Sequence, residues 1–84
     1  MYSYEFRPQA IKDLYRLPAD VQRKIIKKLD YFMASNKPLT FAHRLINVEL
    51  GEYRFRVGEY RVIFDVKGEK IIILTLGNRR DVYK

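Results

Sequence analysis

Gly51-Glu52-Tyr53-Arg54-Phe55-Arg56-Val57-Gly58-Glu59-Tyr60-Arg61-Val62-Ile63-Phe64 holds two alternating runs on either side of a two-residue break. Tyr53, Phe55 and Val57 alternate with Arg54 and Arg56, and Tyr60, Val62 and Phe64 alternate with Arg61 and Ile63. A period of two marks a half-buried strand. Gly58-Glu59, with glycine first, fits a type II′ hairpin turn. With those two residues as the loop, Val57 pairs with Tyr60, Arg56 with Arg61, Phe55 with Val62 and Arg54 with Ile63. One face then carries Tyr53, Phe55, Val57, Tyr60, Val62 and Phe64, and the other carries Arg54, Arg56 and Arg61. Arg56 and Arg61 stand directly opposite, with Cβ atoms about 5 Å apart, where like charges cost stability. A bound phosphate would offset that cost through forked hydrogen bonds. Neutralisation by Asp65 or Glu52, or divergence of the side chains into water, would offset it as well.

Working outward, Lys67-Gly68-Glu69-Lys70 reads as a second hairpin turn, which pairs Val66 with Ile71, Phe64 with Ile73 and Arg61 with Leu76. Ile71 to Leu76 is apolar apart from Thr75, the mark of a strand buried on both faces and central in its sheet. Arg44 to Leu50 is a candidate for a further short strand. Upstream, Tyr2, Tyr4 and Phe6 alternate with polar residues as a strand. Pro8 suits the first turn of a helix, which carries Ile11 and Leu14 and closes at Leu17-Pro18. Asp20 is a candidate N-cap for a second helix. Val21, Ile25, Leu29, Phe32 and Met33 form the apolar stripe of that helix, Lys24, Lys27 and Lys28 its wet side, and Ser35-Asn36-Lys37-Pro38 its stop. The order predicts an α+β fold. An N-terminal strand precedes a helical hairpin packed on a mainly antiparallel, four-stranded β-meander sheet, as one domain over residues 1–84.

Composition narrows the classes. The chain has 84 residues, 48% of them apolar, and no cysteine. Disulfides and thiolate-bound zinc are thereby excluded, and the apolar content suffices for a core. Seventeen Lys and Arg against ten Asp and Glu give +7, an excess that attracts polyanions. No apolar run approaches the ~20 residues of a membrane span, and the N-terminus does not read as a signal peptide. The expectation is a cytoplasmic protein without a membrane partner. No glycine-rich phosphate loop and no metal-ligand spacing occurs, so no cofactor and no metal are expected.

The last strand delivers Gly77-Asn78-Arg79-Arg80-Asp81-Val82-Tyr83 to the end of the sheet that holds Arg61. Arg79 or Arg80 then comes within reach of Arg56 and Arg61, and Tyr83 joins them if the tail folds back. Arginines with a tyrosine on an open face fit recognition of single-stranded RNA. They also fit metal-free RNA cleavage, in which the ribose 2′-hydroxyl attacks the adjacent phosphorus and fixed guanidiniums stabilise the developing charge. A base must take the 2′ proton and an acid must protonate the 5′ oxygen. Arginine serves as a stabiliser and is a poor acid. The lone histidine, His43, cannot form a His–His pair and reads as a structural or surface residue.

The core "G-x-Y-R-x-R-x-G-x-Y-R-V" with the ending "G-x-R-R-D-V-Y" resembles the RelE/ParE superfamily of bacterial and archaeal toxins, across nearly the whole chain. The resemblance implies the toxin of a type II toxin–antitoxin module, with a RelB-like antitoxin as partner and operator DNA contacted only through that antitoxin. RelE-type members cut mRNA in the ribosomal A site, whereas ParE-type members poison DNA gyrase without nuclease chemistry. The RelE-type catalytic positions fall on Arg54, Arg56, Arg61, Arg79 and Tyr83. By resemblance, Tyr83 orients or deprotonates the 2′-hydroxyl, and Arg61 and Arg79 hold the scissile phosphate. Arg54 and Arg56 stand where the best-studied pattern has lysines, and Asn78 stands where many relatives carry histidine. Arg44, Arg80 and Lys84 are expected to add RNA contacts. All five catalytic positions are suitably filled, which favours a ribosome-dependent mRNA endonuclease over a gyrase inhibitor or a plain RNA-binding module.

Overall fold

The computed structural model describes residues 1–46 and 49–83. The chain runs through β1 (Ser3–Phe6), α1 (Pro8–Tyr15), α2 (Ala19–Ala34), a 3-10 turn (Pro38–Phe41), β2 (Ala42–Arg44), β3 (Tyr53–Val57), β4 (Tyr60–Lys67), β5 (Lys70–Asn78) and the single turn α3 (Arg79–Val82). The expected α+β architecture is present. The sheet has five strands rather than four, in the order β1-β5-β4-β3-β2. The added pairing is β1 lying parallel on β5, with Ser3 opposite Lys70 and Phe6 opposite Ile73. Two helices and the strands β2, β3 and β4 separate β1 from β5 in the chain, a connection long enough for a parallel pair.

The helices cover one face. Ile25, Leu29 and Phe32 of α2 and Ala10 and Leu14 of α1 are buried against Phe55, Val57, Val62, Phe64, Ile71, Ile73 and Leu76 of the sheet. A run of aromatic rings crosses this interface. Phe41 lies 4.8 Å from Phe32, Phe32 4.6 Å from Phe55, and Phe55 4.3 Å from Phe64, between ring centroids. Such contacts add about 0.5–1.5 kcal/mol each beyond the apolar area they bury. Tyr4 donates to Asp30 at 2.8 Å and ties β1 to α2. Pro18, not Asp20, occupies the N-cap of α2, and Asp20 sits in the first turn, where a carboxylate still complements the helix dipole.

The hairpin register is the expected one: Val57 pairs with Tyr60, Arg56 with Arg61, Phe55 with Val62 and Arg54 with Ile63. Gly58 adopts φ +60° while Glu59 keeps a negative φ, as a type II′ turn requires. Between β4 and β5 the expected pairing holds at Val66–Ile71 and Phe64–Ile73 and then shifts. Ile63 pairs with Thr75, Val62 with Leu76 and Arg61 with Gly77 instead of Leu76. A bulge at Leu74 absorbs the extra residue. It lets Leu76 enter the core opposite Val62, where an unbroken ladder would have placed Thr75. Asp13 of α1 holds the bulge, accepting from the Thr75 hydroxyl at 2.6 Å and from the Leu76 N–H at 3.3 Å.

The face away from the helices is shared out. The segment before β3 folds over its middle: the Glu52 N–H donates to Asp65 at 2.9 Å and the Glu52 carboxylate accepts from the Val66 N–H at 2.9 Å. Gly51 lies so close that a Cβ there would stand 2.7 Å from Ile63 Cγ2, and Ile63 is fully buried beneath it. The rest of this face is left to the arginines. The expected strand over residues 44–50 is displaced: strand pairing ends at Arg44, and part of that range lies outside the described residues.

Asp13→Ala leaves the Leu76 N–H of the bulge without its acceptor. The expected loss is about 1–3 kcal/mol, read as a melting temperature lower by several degrees in a circular dichroism scan. An unchanged midpoint would show that the bulge does not depend on Asp13.

Candidate RNA-cleavage site

Because β3 and β4 alternate, Arg54, Arg56 and Arg61 project from the face opposite the aromatic core. Arg61 is the buried member, only 6% exposed. Its Nη1 donates to the Gly58 carbonyl at 2.8 Å and to the Tyr60 carbonyl at 2.9 Å, so this guanidinium is anchored on the turn that sets the register. Opposite it in β5 stands Gly77, where a Cβ would lie 3.4 Å from Val82 Cγ2. α3 thus packs within ordinary contact distance of the end of the sheet.

Asn78 caps α3, its side chain accepting from the Arg80 N–H at 3.0 Å. The Arg79 N–H donates to the Glu59 carbonyl at 2.9 Å, and Arg79 Nε lies 3.0 Å from a Glu59 carboxylate oxygen. Both side chains of this ion pair are mostly exposed, which limits its worth to about 0–1 kcal/mol. The turn of α3 carries Tyr83 back over the sheet, where its hydroxyl accepts from Arg54 Nη1 at 3.0 Å. Arg54 Nε is buried and has no hydrogen-bond partner, a donor that an anion on this face would satisfy.

The cluster shows in the electrostatics of its buried member. Burial lowers the Arg61 pKa below the usual guanidinium range, and the Arg56 charge lowers it further. Tyr83 opposes the shift, and Arg54 and Arg79 add to it. Three guanidiniums and a phenol thus all act on Arg61. The site is an open face, not an enclosed pocket. A concavity of about 420 Å³ lies between β1 and α2, lined by Tyr2, Tyr4, Asp30 and Met33 among others, and contains none of these arginines. Among the described residues, no group of three or more His, Cys, Asp or Glu is placed to hold a metal ion.

Comparison with known proteins places the chain. The family model described as the ParE toxin of the type II toxin–antitoxin system parDE matches residues 4–83. The chain belongs to this toxin family. The fold of this RelE/ParE-type toxin is also that of the solved toxin–antitoxin complex RelBE2 from Mycobacterium tuberculosis, with TM-score 0.79 at 24% identity over 93% of this chain and 98% of that one. The RelB–RelE complex from Methanococcus jannaschii matches with TM-score 0.72 at 25% identity, covering 93% of each chain. The archaeal RelE–RelB complex from Pyrococcus horikoshii OT3 matches with TM-score 0.71 at 30% identity, covering 95% of this chain and 97% of that one. No curated protein matches by sequence.

Of the residues singled out in the sequence, the toxin brings Arg54, Arg56, Arg61, Arg79 and Tyr83 together. Arg80 is exposed on α3 and gives its backbone N–H to the Asn78 cap. Arg44 stands apart. It pairs with Tyr53, and its guanidinium lies 5.8 Å from the Tyr53 ring centroid, which puts it on the helix side of the sheet edge. Lys84 lies outside the described residues. His43, read from the sequence as a structural or surface residue, is exposed on β2 and pairs with Arg54. The expected strand began at Arg44, two residues late.

Arg56→Ala removes one of two like charges that face each other across β3 and β4. The melting temperature is expected to rise by the equivalent of about 0.2–1 kcal/mol, while affinity for single-stranded RNA falls. Added salt should raise the wild-type midpoint more than the variant's. A variant with both lower stability and unchanged RNA affinity would contradict the arrangement.

Proposed function

We propose that the toxin is a ribosome-dependent mRNA endonuclease that cuts A-site codons by metal-free attack of the 2′-hydroxyl, and so stops translation. The observation that supports this reading is the gathering of Arg54, Arg56, Arg61, Arg79 and Tyr83 on one open face. As the 2′ oxygen adds to phosphorus, negative charge grows on the phosphoryl oxygens. Arg61, fixed by two carbonyls, and Arg79, at the start of α3, stabilise it. Tyr83, aligned by Arg54, takes the 2′ proton. The two arginines of β3 act electrostatically, since a guanidinium holds its proton. An open site of this kind holds a polymer weakly by itself, and the ribosome supplies affinity and orientation of the mRNA.

The solved relatives are complexes with RelB antitoxins. By the same reading, this toxin takes a RelB-like antitoxin whose acidic surface complements its charge of +7, and meets operator DNA only through that partner. A cytoplasmic location follows from the substrate. The family description also names the ParE toxin of parDE, and gyrase poisoning is the competing reading.

Primer extension on an mRNA held in programmed ribosomes, beside the same mRNA alone, decides between them. The expected result is cleavage within the A-site codon only when ribosomes are present, reduced roughly 10²–10³-fold by Arg79→Ala with the fold intact. No cleavage by folded wild-type protein, together with inhibition of gyrase in a supercoiling assay, would overturn the proposal.

A further inference from the structure

The endonuclease reading leaves one proton transfer without a donor. The departing 5′ oxygen needs a proton, and the four arginines of the cluster do not release theirs. Tyr83 is engaged with the 2′-hydroxyl. The carboxylates nearby have other partners: Glu59 pairs with Arg79, Asp65 accepts from the Glu52 N–H, and Glu52 accepts from the Val66 N–H.

The edge strand β2 supplies a candidate. Its register sets Ala42 opposite Phe55, His43 opposite Arg54 and Arg44 opposite Tyr53. Directly opposite residues share a face, with Cβ atoms about 4.5–5.5 Å apart. Phe55 and Tyr53 belong to the helix side, so Ala42 and Arg44 do too, and His43 belongs to the arginine face. It is exposed there. Its neighbour across the ladder is the guanidinium that donates to Tyr83. Beyond Arg54 on this face lie Arg56 and Arg61, with the Asp65 and Glu52 carboxylates on the same face. Histidine is the side chain that exchanges its proton near neutral pH.

We propose that His43 is a catalytic residue of this site, the acid that protonates the leaving 5′ oxygen; the proposal rests on the endonuclease reading. The O2′–P bond forms as the 2′ proton passes to the Tyr83 phenolate. The P–O5′ bond breaks as the His43 imidazolium gives its proton to O5′. The products are a 2′,3′-cyclic phosphate, a 5′-hydroxyl, a neutral imidazole and a neutral phenol. Solvent returns a proton to the imidazole and removes one from the phenol, so no metal or co-reactant enters the balance.

The test uses two synthetic mRNAs in programmed ribosomes, one natural and one with sulfur in place of the 5′ oxygen at the A-site linkage. A thiolate leaves without a proton. His43→Gln is expected to slow cleavage of the natural linkage roughly 10²–10⁴-fold while cleaving the sulfur linkage within a few-fold of wild type. Equal cleavage of the natural linkage by variant and wild type would overturn the proposal. So would an equal loss on both linkages, the mark of a positioning role. If wild-type protein cuts neither mRNA, the endonuclease reading fails and the assignment of His43 falls with it. A circular dichroism melt of His43→Gln separates these outcomes from unfolding.

Discussion

Two guanidiniums face each other across β3 and β4, Arg56 on one strand and Arg61 on the other. Left alone, such a pair destabilises a sheet. The toxin accommodates it by dividing the labour. Arg61 turns inward onto the carbonyls of Gly58 and Tyr60, while Arg56 remains exposed. The turn that creates the juxtaposition is therefore held by one of the two charges it juxtaposes. Any change in the Gly58-Glu59 turn that shifted the register by one residue would send every arginine to the core side and every aromatic to solvent. The aromatic run from Phe41 through Phe32 and Phe55 to Phe64 makes that slip prohibitive.

The rest of the site follows from how the last strand meets this hairpin. The bulge at Leu74, gripped by Asp13, sets Leu76 in the core and Gly77 against Arg61. There α3 lies against β5, with Val82 beside Gly77. Asn78 starts the turn, Arg79 meets Glu59, and Tyr83 reaches Arg54. A helix-side carboxylate thus fixes, through one irregular residue in β5, where a tyrosine stands on the opposite face. The link runs from α1 through packing to the arginine face.

Much of this is legible in the sequence. Alternation and a glycine-first turn are local signals, and they gave the β3–β4 register residue for residue. The helices were equally readable, because apolar stripes report the buried side directly. What the sequence hid was non-local. The bulge depends on hydrogen bonds accepted by Asp13, far away in sequence, which no period in β5 announces. The parallel seat of β1 on β5 depends on where the helices deliver the chain. The edge strand β2 is three residues long, too short for alternation to declare itself. A strand begun at Arg44 leaves Ala42 and His43 outside the sheet, although both are paired in β2. Pro18 took the cap of α2 in place of Asp20 because its fixed φ already suits the approach to a helix.

The central claim is that guanidiniums from three separate elements form one phosphate site. Arginine side-chain nitrogen spectra, recorded while a nucleoside 3′-monophosphate is titrated into the free toxin, test it most directly. The account predicts that the Nε–H signals of Arg54, Arg61 and Arg79 move together and fit a single binding constant. Movement of the exposed arginines alone, without saturation and with Arg54 and Arg61 unmoved, would contradict it.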